Sequence, residues 1–339
     1  MRLLDLITQG CSISIRSDDG RVLPTAERFK SDVRACPLRY VLSDELVRCA
    51  TQLAYAGADQ LCACLDLIRV PTHTVWVEWT EAPRRQALSE IPALEVQSRD
   101  GAQRAGALVK AAPDCRSGHI RTFWSMPDNL AYLSPMVTAF NLDDAAAAYR
   151  RGGSTTWRGE VLLRMEHEAS LDELLAHLRF HFDDEWAAYY LARCQTADIK
   201  QQVVRASLAG VAFDTPMLMA FFLLLGASKA LPRHIVGHER LNRARQQAGK
   251  PPLLEHIEIA APLCASSLPR PASGGDSRRL HPRLHHVRGH IVRRGATVYW
   301  RSPHLRGSAR LGRVNSRTVE LKFARQAALE SRLPRLTLH

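Results

Sequence analysis

The sequence predicts an α+β protein with a mixed N-terminal part, a helical middle and a small basic antiparallel β module at the C-terminus. Three observations predict it. His73-Thr74-Val75-Trp76-Val77-Glu78-Trp79 is dense in the β-branched and aromatic residues that suit a pleated surface. Ser170-Leu171-Asp172-Glu173 has the form of a helix capping box, and Leu171, Leu175, Leu178, Phe182, Trp186 and Tyr189 follow at helical spacing. Residues 269–277 are rich in proline, glycine and serine and coincide with a change in charge.

From the N-terminus, Ser43 is placed to cap a helix through Leu46, Val47, Leu53 and Ala54 that ends near Gly57, and Leu61 to Ile68 predicts a second helix. The strand at 73–79 alternates Val75, Val77 and Trp79 against Trp76 and Glu78. Ala105 to Ala111 and His119 to Trp124 predict further strands around the turn-rich Pro113–Gly118. In the middle, the capped helix and a helix from about Lys200 to Ala209 precede the apolar run Met217 to Leu225. Asp214-Thr215-Pro216 starts that run as a helix buried on all sides. A polar helix from Glu239 through Gln247 stops at Gly249, and Leu254 to Ile259 alternates as a strand. Beyond the linker, Leu284 to Arg293 and Ala296 to Arg301 flank a tight turn at Arg294-Gly295. Asn315 to Phe323 predicts a third strand, with a short helix or tail after it. The resulting division is a domain over 1–268, a linker over 269–277 and a basic β module over 278–339.

A chain of 339 residues is long enough to bury a real core, and 46% hydrophobic with 24% charged residues is ordinary for a soluble protein. The longest apolar run falls far short of the roughly 20 residues that span a bilayer. Asp5 interrupts the N-terminus before a secretory signal forms. Eight scattered cysteines lack the spacing of a metal site or a disulfide framework, so free thiols in a cytoplasm are expected. Neither a membrane nor a cofactor is expected. No P-loop, nucleophile elbow, H-E-x-x-H or dinucleotide fingerprint occurs: Gly249-Lys250, for instance, runs into Pro251.

The net charge of +12 lies entirely at one end. Arg270 to His339 holds sixteen Arg and Lys against three acids, whereas the remainder has thirty against thirty-one. Such confinement is the electrostatic footprint of a partner with a phosphate backbone. Within that end, strand alternation puts His286, Arg288, His290 and Val292 on one face. Arginine grips phosphate bidentately, histidine moves a proton near neutral pH, and Gly289 permits close approach. The expected function is nucleic-acid binding (RNA or DNA) through Arg288, His290, Arg293, Arg301 and Arg306. One alternative is metal-independent, ribonuclease-like cleavage by His286, His290 and His304. A second is an interaction module for an acidic protein partner, and the bland reading is a solvated basic edge strand. Tyr299 and Trp300 either stack on bases or, for Trp300 more readily, form the core of the small sheet. Glu173, His177, His181 and Glu185 recur at i+4, a row that fits the polar border of a core helix better than a metal site.

Leu241-Asn242-Arg243-Ala244-Arg245, Gly249-Lys250-Pro251-Pro252-Leu253 and Glu255-His256, followed by His286 to Arg293 and a tryptophan strand, resemble a stretch of uncharacterised proteins encoded by bacteriophages and prophages. The resemblance covers mainly residues 235 to 323 and departs at Gly295, which Ala296-Thr297 follow instead of a basic residue. It implies a mobile-element origin and a bacterial cytoplasm, without implying an activity.

Overall fold

The computed structural model describes residues 1–9, 13–14, 25–91, 101–127, 130–151, 161–163, 168–171, 178–183, 196, 198–199, 207–208, 211–227, 231–261, 283–287, 290–301, 304–306 and 308–313. It falls into two units, Met1–Ala261 with Arg293–Tyr299, and Pro262–Val292 with Trp300–His339.

Among the described residues, the first unit is built on one mixed sheet of eleven strands, where an α+β chain with a helical middle was expected. Its strands are β1 (Ile13–Ser14), β2 (Leu38–Leu42), β3 (Thr74–Thr80), β4 (Arg104–Ala111), β5 (Ser117–Ser125), β6 (Ala131–Asn141), β7 (Val161–Leu163), β8 (Glu168–Leu171), β9 (Arg179–Phe182), β10 (Arg233–Val236) and β11 (His256–Ile259). They run in the order β10-β11-β2-β3-β4-β5-β6-β9-β8-β7, with β1 beside β6. β11, β2 and β3 are parallel, and β3 through β9 form an antiparallel run.

Helices cover both faces, as in an α/β protein. Trp76, Glu78, Gly106 and Phe123 share the face covered by α1 (Leu3–Thr8) and α2 (Thr25–Ala35). There the Leu3 and Leu4 N–H groups donate to the two carboxylate oxygens of Glu78 at 2.9 Å, so a fully buried anion closes the N-terminus of α1. Phe29 of α2 meets Phe123 edge to face. Val75, Val77 and Trp79 share the other face with Tyr40, whose ring abuts Phe221. That face takes α3 (Asp44–Tyr55), α5 (Glu81–Ser89) and α7 (Asp214–Gly226); α4 (Ala58–Cys62) packs beside α3, and α6 (Leu142–Arg150) beside the short turn of helix at Leu65–Leu67. β3 is thus buried on both sides, and its alternation separates two cores instead of core from solvent.

Several expectations hold. Ser43 caps α3, its Oγ accepting from the Leu46 N–H, and α7 is buried from Asp214 through Leu224. Asp214 itself is helical and carries an ion pair instead of a cap. The polar helix α8 (Glu239–Gln247) has no buried residue and ends at Gly249 with φ +65°. The Asn242 side chain clamps the chain after it, accepting from the Leu253 N–H at 2.7 Å and donating to the Leu253 carbonyl at 2.9 Å. Asn242→Ala should therefore speed amide exchange across residues 248–255 while the global Tm barely moves, because α8 adds nothing to the core. A large drop in Tm would contradict this.

The capped helix of the middle is corrected. Ser170 lies in β8, opposite Leu162 and Arg179, and Arg179–Phe182 is β9. Phe180 and Phe182 fill the core at 0% and 2% exposure, a period of two that the helical spacing concealed. The row of Glu173, His177, His181 and Glu185 is therefore not a helical face: His181 is in a strand, and the other three lie outside the described residues, as does most of Lys200 to Ala209.

The C-terminal strands are β12 (Arg283–Val287), β13 (His290–Arg294), β14 (Thr297–Arg301), β15 (His304–Arg306) and β16 (Ser308–Arg313). The expected single antiparallel module is corrected: β12 pairs antiparallel with β15 but parallel with β16, while β13 and β14 form a separate two-stranded ladder. The linker at 269–277 and the strand expected at 315–323 lie outside the described residues.

Candidate functional site

The expected binding residues divide by position. Arg293, at the tip of the β13–β14 hairpin, is already engaged: its guanidinium makes a bidentate pair with Asp66, 2.9 Å on both arms, and donates from Nε to the Gly295 carbonyl at 3.0 Å. The side-chain hydrogen bond to Asp66 holds the guanidinium pKa above its ordinary range. Gly295, at φ +59°, closes the hairpin one residue later than the sequence suggests. Ile291 and Val298 are buried, and Arg301 and Arg306 are exposed. His304 stands opposite Val287 and Arg306 opposite His285, whereas His286 stands opposite Leu305. His290 begins β13, and Arg288 lies outside the described residues.

A second cluster escaped the sequence reading. On the α1/α2 face of the sheet, Lys110 stands opposite His119 and His119 opposite Ala139. In the next row, Leu108, Arg121, Val137 and His181 align across β4, β5, β6 and β9. The short Val137 and Ala139 between two strands of long polar side chains leave a trough, and α2 walls it with Arg28, Phe29 and Asp32. The cleft has a volume of about 340 Å³, within the range of small-molecule sites.

Its electrostatics are predominantly cationic. Lys110 pairs with Asp32 at 2.6 Å, and Arg121 pairs with the buried Asp183, which Arg28 also approaches at 3.9 Å. The guanidinium carbons of Arg121 and Arg28 lie 4.6 and 5.2 Å from the centre of the Phe29 ring. Arg121 Nη1 is buried without a hydrogen-bond partner. The rings of His119 and His181 meet edge to face with centroids 6.0 Å apart. Burial, then the charge of Arg121, holds the His119 pKa below its ordinary value.

Other chemistry is poorly served. Burial pushes the Cys36 thiol up to about 11 and those of Cys49 and Cys62 to about 12, so these are not thiolate nucleophiles. Among the described residues, no group of three or more His, Cys, Asp or Glu is placed to hold a metal ion, and no helix is long and apolar enough to cross a membrane. Compared with protein families, curated proteins and solved structures, the chain matches none.

Proposed function

We propose that this chain binds nucleic acid through the exposed arginines of its C-terminal segment, in the accessory role that its resemblance to phage-encoded proteins suggests. The observation that carries the reading is charge: sixteen Arg and Lys against three acids after residue 269, in a chain that is otherwise balanced. Among the described residues of that segment, Arg301 and Arg306 are exposed and so placed to meet phosphates, whereas Arg293 is held by Asp66.

The test is fluorescence anisotropy of the full chain with labelled RNA and DNA across salt concentrations. Affinity should fall by orders of magnitude between about 50 and about 200 mM salt, because each neutralised phosphate releases counterions. Replacing both Arg301 and Arg306 by alanine should flatten the slope of log affinity against log salt by about two, whereas Arg293→Ala should leave it nearly unchanged. Equal affinity at the two salt concentrations would overturn the reading.

A further inference from the structure

We propose that the cleft between α2 and strands β4, β5 and β9 is a binding site for a phosphoryl group, separate from the basic C-terminal segment. Donors reach it from four elements: Arg28 from α2, Lys110 from β4, Arg121 from β5 and His181 from β9. Donors converging from several directions suit a tetrahedral anion, whereas a carboxylate offers two oxygens in one plane. Three cations against Asp32 and Asp183 leave one positive charge before either histidine is protonated. The Arg121 side chain lines the cleft and is 19% exposed, so part of it can be reached by an anion there.

The histidines supply the rest of the charge. A dianion in the cleft stabilises their protonated forms, so the bound state takes up protons. Binding is therefore strongest below the histidine pKa of the free protein and is lost as pH rises through the raised pKa of the complex. Other groups facing the pair are Arg28 and Asp32 on α2, Lys110 on β4, Arg121 on β5 and Asp183 after β9; Arg179 and Glu168 hold neighbouring register positions. The pH response is assigned to the imidazoles of His119 and His181, the side-chain type that changes charge near neutral pH.

Calorimetric titration of the full-length protein tests this with inorganic sulfate, inorganic phosphate, adenosine 5′-monophosphate, adenosine and acetate. Sulfate stays a dianion throughout and isolates the titration of the protein. The expected result is saturable binding of sulfate and phosphate, roughly tenfold tighter at pH 6 than at pH 8 for sulfate, with none of adenosine or acetate. The monophosphate binding more tightly than phosphate identifies a nucleotide as the source of the group; equal affinity identifies free phosphate. Arg28→Gln and His181→Gln should each weaken sulfate on the order of tenfold, the loss of one charge-assisted hydrogen bond. Joint replacement of His119 and His181 by glutamine should remove the pH dependence, and joint replacement of Arg301 and Arg306 by alanine should change nothing. Arg28 is exposed, so that variant folds even if a more buried one fails. Absence of saturable sulfate or phosphate binding at about pH 6 overturns the proposal, as does binding that Arg28→Gln leaves intact.

Discussion

Arg84→Met should destabilise the protein by about 3–5 kcal/mol, because it strips the cation from two buried carboxylates. Arg84 is 3% exposed, and Glu81 and Asp214 are 0% and 1% exposed. The Arg84 guanidinium donates from Nε to Glu81 at 3.1 Å, and its Nη1 lies 3.6 Å from Asp214 at the start of α7. Glu81 also accepts from the Trp79 indole N–H at 3.0 Å, so the pair is tied to the central strand. Burial works against the charge on Arg84, yet Glu81 and then Asp214 outweigh it and hold the guanidinium above its ordinary range. Without that cation, both buried carboxylates lose the charge of the guanidinium they pair with. Thermal unfolding should show a Tm lower by roughly 4–9 °C. Joining Glu81→Gln and Asp214→Asn to Arg84→Met should restore most of the loss, since a neutral buried cluster carries no uncompensated charge. A single-variant loss below about 1 kcal/mol would show that the network is more hydrated than its burial indicates.

This network also shows what the sequence could reveal. Signals confined to a few neighbouring residues were legible: Ser43 as a cap, Gly249 as a stop, the apolar block of α7 and the β-branched block of β3. Features set by distant partners were not. Asp214 reads locally as a helix cap, but its partner, Arg84, is on another helix. β6 contains Pro135, which argues against a central strand; the structure accommodates it where the β5–β6 register shifts, between Arg121/Val137 and Phe123/Leu133. β9 was hidden because Leu171, Leu175, Leu178 and Phe182 satisfy a helical period, while Phe180 and Phe182 satisfy a strand period in the same window. Once that window is a strand, His181 moves from a helix border to the wall of a cleft. No local pattern links Arg28, Lys110, His119, Arg121 and His181, since strand register and, for Arg28, the packing of α2 bring them together. The charge of the C-terminal segment was legible because composition needs no fold.

Gly106→Ala should destabilise the protein by about 2–3 kcal/mol, a large effect for one methyl group. Gly106 is opposite Glu78 on one side and Phe123 on the other, in the middle of the sheet. A Cβ built there would lie 2.5 Å from Trp76 Cζ2, 2.8 Å from Cη2 and 3.3 Å from Leu3 Cδ2. The indole of Trp76 therefore occupies the space that the missing side chain leaves, and it packs in turn on Phe123 with ring centroids 5.5 Å apart. Phe123 leads on to Phe29, and Phe29 underlies the guanidinium groups of the histidine cleft. Because packed interiors transmit displacement, the methyl group should shift α1 and α2 as well as lower stability. Trp76→Phe in the same chain should relieve the clash, giving a double-mutant coupling on the order of 1–2 kcal/mol. The decisive measurement is denaturant unfolding of the two single variants and the double variant. Strict additivity would mean that Gly106 is required by the strand backbone alone; the expected coupling identifies it as the socket for Trp76, and sulfate affinity of Gly106→Ala then reports how far the displacement reaches toward Arg28.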